Sequence, residues 1–108
     1  DVAIREKVAE MGEAARVIAE RVHQIVRGVA PELTPRLYYG MPAYAIDGKV
    51  VCFFQPAAKF KTRYPTFGFN DSAQLDDGDI WPTGFAVATM SAAVEERLTA
   101  LVSRAVGR

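Results

Sequence analysis

The first thirty residues carry a hydrophobic repeat that restricts how this chain can fold. Gly12 interrupts the repeat, and a glycine inside a helix costs about 1 kcal/mol relative to alanine. We therefore expect two helical segments, near residues 2–10 and 13–29. Ala30-Pro31 ends the second segment, because the residue before a proline avoids the helical region. The apolar residues recur every three or four positions, on one face of a helix: Ile4, Val8, Met11, Ala15, Ile18, Val22, Ile25 and Val29.

Strand signals follow the helical repeat. Asp47-Gly48 is typical of a two-residue type I′ turn, and branched or aromatic residues flank it in 43–46 and 49–54. A hairpin is therefore expected here. Simple alternation along its second strand predicts the two faces: Val51 and Phe53 on one, and Val50, Cys52 and Phe54 on the other.

Basic and less polar residues alternate from Lys59 to Tyr64. The alternation predicts a half-exposed antiparallel strand, which continues in 67–69 after a break at Pro65. In that strand Lys59, Lys61 and Arg63 would face solvent, and Phe60 and Tyr64 would face the helices.

The end of the chain is typical of a strand and a closing helix. Small and branched residues in 84–90 predict the strand, and Ser91 is a suitable N-cap for the helix after it. Helices, then strands, then a helix indicate a single α+β domain over residues 1–108. We expect an antiparallel sheet covered by N-terminal helices and a C-terminal helix.

Composition restricts the partners. Thirteen basic residues balance thirteen acidic ones, so the chain has no overall field to attract nucleic acid or anionic lipid. No apolar run approaches the roughly 18 residues of a membrane span. Cys52 is the only cysteine and lies among apolar residues, which predicts a small buried hydrophobe in a reducing cytoplasm. The acidic, amphipathic start of the chain is unlike a secretory leader.

The sequence contains none of the common catalytic or phosphate-binding motifs. His23 is the only histidine, and its place in the amphipathic helix predicts an exposed or interface position rather than general base catalysis. We therefore expect a non-enzymatic domain.

Three groups of residues are candidates for binding. Bases interleave with aromatic residues in 49–65, as on platforms for single-stranded nucleic acid; they include Lys49, Lys59, Lys61 and Arg63. The alternative is an exposed strand that its charges protect from aggregation. A second group consists of carboxylates that would suit a hard cation, although an ordinary solvated loop has the same composition: Asp71, Asp76, Asp77 and Asp79.

The third group is aromatic and surrounds Gly40 and Pro42 at a strand-turn-strand junction. Such residues either close the end of a core or line a small-molecule pocket. Its members are Tyr38, Tyr39, Met41, Tyr44 and Trp81.

Three stretches of the chain resemble the DUF1801, or YdhG-like, family: Arg36-Leu-Tyr-Tyr-Gly-Met-Pro-Ala-Tyr, Asp47-Gly-Lys-Val-Val-Cys-Phe-Phe and Lys59-Phe-Lys-Thr-Arg-Tyr. With Ala30-Pro-Glu-Leu and the closing helix, the likeness extends over nearly the whole chain. It implies a small cytoplasmic bacterial domain with a frataxin-like sheet covered by helices. Most members have no known activity, and one branch is linked to intracellular iron delivery.

The chain departs from the family pattern on the third strand. The family commonly places a histidine there in a Lys-Lys-His stretch, and Lys59-Phe60-Lys61-Thr62 has none. Only the aspartates then remain as candidate iron ligands. We expect a binding domain for a protein or small-molecule partner, with no resident cofactor and no membrane. One alternative is an iron chaperone that holds ferrous iron weakly at the aspartates. Another, less favoured by the zero net charge, is a binder of single-stranded nucleic acid.

Overall fold

Residues 2–108 are described by a computed structural model, and they form four helices and one five-stranded antiparallel sheet. Two helices precede the strands, one short helix lies between the third and fourth strands, and one helix follows the strands, which confirms the α+β class expected from the sequence. The elements are α1 (Val2–Ala9), α2 (Glu13–Val29), β1 (Thr34–Tyr38), β2 (Met41–Ile46), β3 (Lys49–Gln55), α3 (Ala57–Phe60), β4 (Thr66–Phe69), β5 (Gly84–Ala86) and α4 (Ala92–Ala105).

The two N-terminal helices match the hydrophobic repeat. Gly12 has an extended backbone, at φ −61° and ψ 158°, and separates α1 from α2. Ala30 leaves the helical region directly before Pro31, as the proline predicts. The buried side chains are Ile4 and Val8 in α1, and Ile18, Ala19, Val22, Ile25 and Val26 in α2.

Each strand of the sheet pairs with the next one along the chain, in the order β1-β2-β3-β4-β5. The turn between β2 and β3 has positive φ at both central residues, 51° at Asp47 and 77° at Gly48. This is the type I′ requirement, so the predicted hairpin is confirmed. The turn between β1 and β2 has the same φ values, 51° at Tyr39 and 77° at Gly40.

Strand β3 contains a bulge. The register shifts between Tyr44 and Ala45 on β2, and Val51 is the extra residue on β3. Val51 consequently joins Cys52 in the core beneath the helices, whereas Phe53 lies in a separate cluster. Val50 lies with Phe53 in that separate cluster. The expectation that Val51 shares a face with Phe53, and Val50 with Cys52 and Phe54, is therefore wrong, because one extra residue in the strand shifts the alternation of side chains by one position.

The segment predicted as a basic strand is instead the short helix α3 followed by a turn. Pro56 has φ −69° at the N-cap, and Lys61 is left-handed with φ 55° at the other end. A proline followed by two alanines favours a helical turn. This local preference outweighs the strand preference that the alternating basic and less polar residues from Lys59 to Tyr64 indicate. Phe60 and Tyr64 are 36% and 42% exposed, so the expectation that they pack toward the helices is wrong. The basic side chains are exposed, as expected: Lys59, Lys61 and Arg63.

The last strand and helix complete the core. Strand β5 ends at Ala86 and is shorter than the predicted 84–90. Ser91 caps α4 as predicted, because its Oγ accepts a hydrogen bond of 3.2 Å from the Val94 N–H. Leu98 and Val102 of α4 enter the same buried cluster as the inward side chains of α1 and α2.

Candidate ligand-binding surface

A row of aromatic rings lies on a second, smaller cluster of the sheet. This cluster consists of strand residues only, with Ala43, Ala45 and Val50 buried and two aromatic rings packed on them. The Tyr38 ring centroid lies 5.8 Å from that of Phe53 and 4.7 Å from that of Tyr39. We call Tyr38, Tyr39 and Phe53 the aromatic row.

The Phe53 ring lies directly over the backbone of Gly68 on the neighbouring strand, with which it pairs. A Cβ added at Gly68 would lie 2.8 Å from Phe53 Cε1, closer than real Cβ contacts allow. Glycine is therefore needed here for the ring to rest on the sheet. One face of the Phe53 ring therefore packs against the sheet, and the residue is only partly exposed.

Tyr39 is the most exposed member of the aromatic row, with 78% of its surface accessible. It lies in the turn between β1 and β2, where its left-handed backbone is followed by that of Gly40. The Tyr38 ring is tilted by 64° to that of Tyr39 and by 48° to that of Phe53, so a flat molecule could stack on the exposed Tyr39 ring and not on all three.

A lysine lies beside the same turn. Lys59 Nζ occupies the space that a Cβ on Gly40 would fill, so the ammonium group is next to the residue that follows Tyr39. Gly40 and Lys59 both line a cleft of about 300 Å³ near the connection between α1 and α2. Lys7 and Glu10 also line the cleft, and their side chains are 3.9 Å apart.

The predicted binding residues do not form one site in the structure. The Tyr38 and Tyr39 rings are in contact, and Met41 is buried as the strand partner of Tyr38. Lys59 lies against Gly40 of the same turn, and its ammonium is 5.7 Å from the centroid of the Phe60 ring. Trp81 packs at the edge of the main core, in a cavity with Leu75, Phe85 and Leu101. Lys61 and Arg63 are exposed after α3, and the Arg63 guanidinium stacks on Tyr64 at 5.1 Å from the ring centroid.

Tyr44 is on the helix side of the sheet and is fully buried. Its hydroxyl lies 2.9 Å from Nδ1 of His23, and the two rings are 5.7 Å apart. Burial raises the pKa of Tyr44 well above its ordinary value, so the phenol is neutral. Sequence reasoning placed His23 at an exposed or interface position and missed this partner, which is 21 residues away.

His23 is half-buried, and burial, together with the nearby Arg27 and Arg5, lowers the pKa of its imidazole. Cys52 is completely buried, as predicted, and burial raises the pKa of its thiol to about 12. A thiol with this pKa is protonated at neutral pH and is a poor nucleophile.

The four aspartates all lie on the surface of the loop between β4 and β5. Arg104 donates a hydrogen bond of 2.7 Å to the backbone carbonyl of Asp76. Within residues 2–108, no three His, Cys, Asp or Glu side chains are grouped so as to hold a metal ion. The ferrous site at Asp71, Asp76, Asp77 and Asp79 stays a prediction.

Among the helices of residues 2–108, none has the length and apolar character needed to cross a bilayer. Comparisons with protein-family models, curated proteins and solved structures found no match to this chain. A function for the chain is therefore inferred from the geometry of its surfaces.

Proposed function

We propose that this chain is a non-enzymatic binding domain of the DUF1801 type whose ligand stacks on the aromatic row. The observation that carries the proposal is the exposed ring of Tyr39, which extends the contiguous rings of Tyr38 and Phe53 and lies in the turn whose Gly40 contacts Lys59. The ligand class that suits such a surface is a small molecule with a flat ring and an anionic group, such as a nucleotide.

The chemistry of the surface supports a planar ligand. A base stacked on an aromatic side chain gains about 1–3 kcal/mol, and Tyr39 presents an exposed ring for this purpose. The ammonium of Lys59 would pair with the anionic group. Because the net charge is zero, long-range attraction for a polyanion is lacking, which favours a small molecule over a nucleic-acid strand.

The proposal that the domain is not an enzyme rests on the positions of its histidine and its cysteine, two residue types that often act as a base or a nucleophile. His23 is the only histidine, and one of its nitrogens is engaged by Tyr44. Cys52 is a buried, protonated thiol. Neither residue belongs to the aromatic row, so binding there does not bring the histidine or the thiol to the ligand.

Titration of adenosine monophosphate and of a short oligothymidine, followed by amide chemical shifts, tests the proposal. We expect the mononucleotide to shift signals of residues 38–41 and 53 saturably. Tyr39→Ala should weaken binding about tenfold, the lower end of a stacking contribution, and Lys59→Gln should weaken it through loss of the charge.

Tyr64→Ala is the matched control, because Tyr64 is also exposed and lies beside a basic residue but is outside the aromatic row. It should leave the affinity unchanged. Binding of oligothymidine alone, with steep salt dependence, would replace the small-molecule ligand by a nucleic-acid strand. Binding of neither probe, or equal losses in the Tyr39 and Tyr64 variants, would refute the aromatic row as the site.

A further inference from the structure

One edge of the sheet is a short strand with no further strand on its outer side. Within residues 2–108, β5 pairs with β4 alone and is the last strand in the order of the sheet. Gly84 and Ala86 are exposed, whereas Phe85 between them is half-buried. The backbone groups of a free edge are a template on which another extended chain can pair.

The register of β5 on β4 decides which of its backbone groups point outward. The Thr83 carbonyl accepts a hydrogen bond of 2.7 Å from Phe69 N–H, and Val87 N–H donates one of 2.8 Å to the carbonyl just before β4. Bonded and non-bonded pairs alternate along antiparallel strands. Gly84 and Ala86 therefore belong to the non-bonded pairs, and their N–H and C=O groups point away from β4.

A groove of about 280 Å³ lies between this edge and α4. Residues 84–87 line one side of the groove. On the other side are Val94 and Leu101, which are half-buried and so present apolar surface, and the buried Leu98. A strand added to β5 would turn every second side chain toward this apolar surface.

Arg97 of α4 gives the groove a positive charge. Its guanidinium carbon lies 5.4 Å from the centroid of the Phe85 ring, so the charged group is beside the middle of β5. The ion pairs at 4.0 Å or less within residues 2–108 do not include Arg97. Among the described residues that line the groove, none is acidic. A carboxylate opposite Phe85 would therefore complement the groove.

Charge also distinguishes between two possible occupants of the edge. A second copy of this chain, paired through its own β5, would bring another Arg97 to the same place, and like charges repel. An acidic segment of a different protein brings the opposite charge. Complementarity therefore favours the acidic segment.

We propose that the edge of β5 binds an extended acidic segment of another protein, which becomes a sixth strand antiparallel to β5. Two residues of the segment pair with Gly84 and Ala86 and exchange backbone hydrogen bonds with them. The residue between these two carries a carboxylate that pairs with Arg97. Apolar side chains two positions before and after it enter the groove beside Val94 and Leu101. This surface is independent of the proposed function, since its residues are not in the aromatic row.

The probe is the peptide Ser-Val-Thr-Glu-Thr-Val-Ser, blocked at both ends and titrated into the isotope-labelled chain. We expect saturable amide shifts at Gly84 and Ala86, and slower exchange of these two amides with solvent, because their N–H groups become bonded. In the proposed register the threonine N–H groups point toward β5 and the valine N–H groups point away. Methylation of both threonine nitrogens should weaken binding at least about tenfold, and methylation of both valine nitrogens should leave it unchanged.

Substitutions in the chain test the charge and the edge separately. Arg97→Gln should weaken binding about tenfold, as for a lost hydrogen bond to a charged group, and should not affect a peptide with glutamine in place of glutamate. Arg63→Gln is the matched control, because Arg63 is also exposed and lies 5.1 Å from an aromatic ring, that of Tyr64, but is outside the groove. Ala86→Pro removes an outward N–H and should also weaken binding.

The methylated peptides test the backbone pairing without altering the chain. Equal effects of the two methylation patterns, equal losses in the Arg97 and Arg63 variants, or no shifts at residues 84–86 would overturn the proposal. Self-association of the free chain that Ala86→Pro abolishes would replace the acidic segment by a second copy.

Discussion

The pair formed by His23 and Tyr44 allows a prediction in which two substitutions together cost less than one of them. Tyr44→Phe removes the buried hydroxyl and its 2.9 Å contact with Nδ1. His23 is only half-buried, so water can reach its ring and the loss should be about 1 kcal/mol, that of an ordinary hydrogen bond.

His23→Leu is the more damaging substitution. It leaves the Tyr44 hydroxyl buried, at 0% exposure, with no acceptor, and an unsatisfied buried group costs about 1–3 kcal/mol. We take about 2 kcal/mol as the expected value, because leucine replaces the volume of the imidazole but none of its hydrogen bonding.

The double variant His23→Leu/Tyr44→Phe places two apolar groups where two polar ones met. Replacing both partners is close to neutral, so adding Tyr44→Phe to His23→Leu should restore about 1 kcal/mol. Urea unfolding at pH 7.5, followed by far-ultraviolet circular dichroism, measures all four proteins at equal m value. If Tyr44→Phe destabilises the His23→Leu variant further, the hydroxyl was not orphaned and the reasoning is refuted.

Three further predictions concern the same fold. The pKa of His23 is lower in the folded protein, so the unfolded chain binds a proton at this residue more readily. The contribution of neutral His23 to stability should therefore be complete above pH 6.5 and should be lost as the pH falls through the folded pKa. His23→Gln should make the urea midpoint less dependent on pH in this range. Gly68→Ala should cost about 1–2 kcal/mol by displacing the Phe53 ring, and in a Phe53→Ala background it should be neutral or stabilising. Ser91→Ala should cost about 1 kcal/mol by removing the N-cap, whereas Ser91→Asp should keep the stability; urea unfolding measures these variants and the Gly68 variants.

The parts of the fold that the sequence predicted are those decided by near neighbours in the chain. The apolar repeat of α2, the Asp47-Gly48 turn and the Ser91 cap each depend on a few adjacent residues. The bulge at Val51 depends on the pairing of β3 with β2, and no pattern within β3 alone marks it. Basic and less polar residues do alternate in residues 59–64, but the helical turn that begins after Pro56 includes the first of them, so the segment is not a strand.

The same distinction between near and distant neighbours in the chain applies to the candidate binding residues. Tyr38 and Tyr39 lie together because they are adjacent at the end of β1, and Lys59 comes close to Gly40 of that turn because α3 follows the end of β3. Tyr44 is close to them in sequence but points to the opposite side of the sheet, as strand alternation requires. The contact of Tyr44 with His23 spans 21 residues, and only the packing of α2 on the sheet creates it.

The sequential order of the strands has a consequence for how the domain folds. Every strand pair joins neighbours along the chain. The β1–β2 and β2–β3 hairpins close loops of two residues, whereas ten residues join β3 to β4 and fourteen join β4 to β5, so the first two hairpins can form after the shortest loop closures. The contact between α2 and α4 is different: Arg21 Nε donates to Glu95 Oε1 at 2.8 Å across 74 residues of sequence.

We therefore expect the hairpins to be organised in the folding transition state and α4 to dock after it. Glu95→Gln should then accelerate unfolding and leave the refolding rate nearly unchanged, whereas Gly48→Ala should slow refolding. We therefore expect the lifetime of the native state to depend on the contact between α2 and α4, and its rate of formation to depend on the two-residue turns.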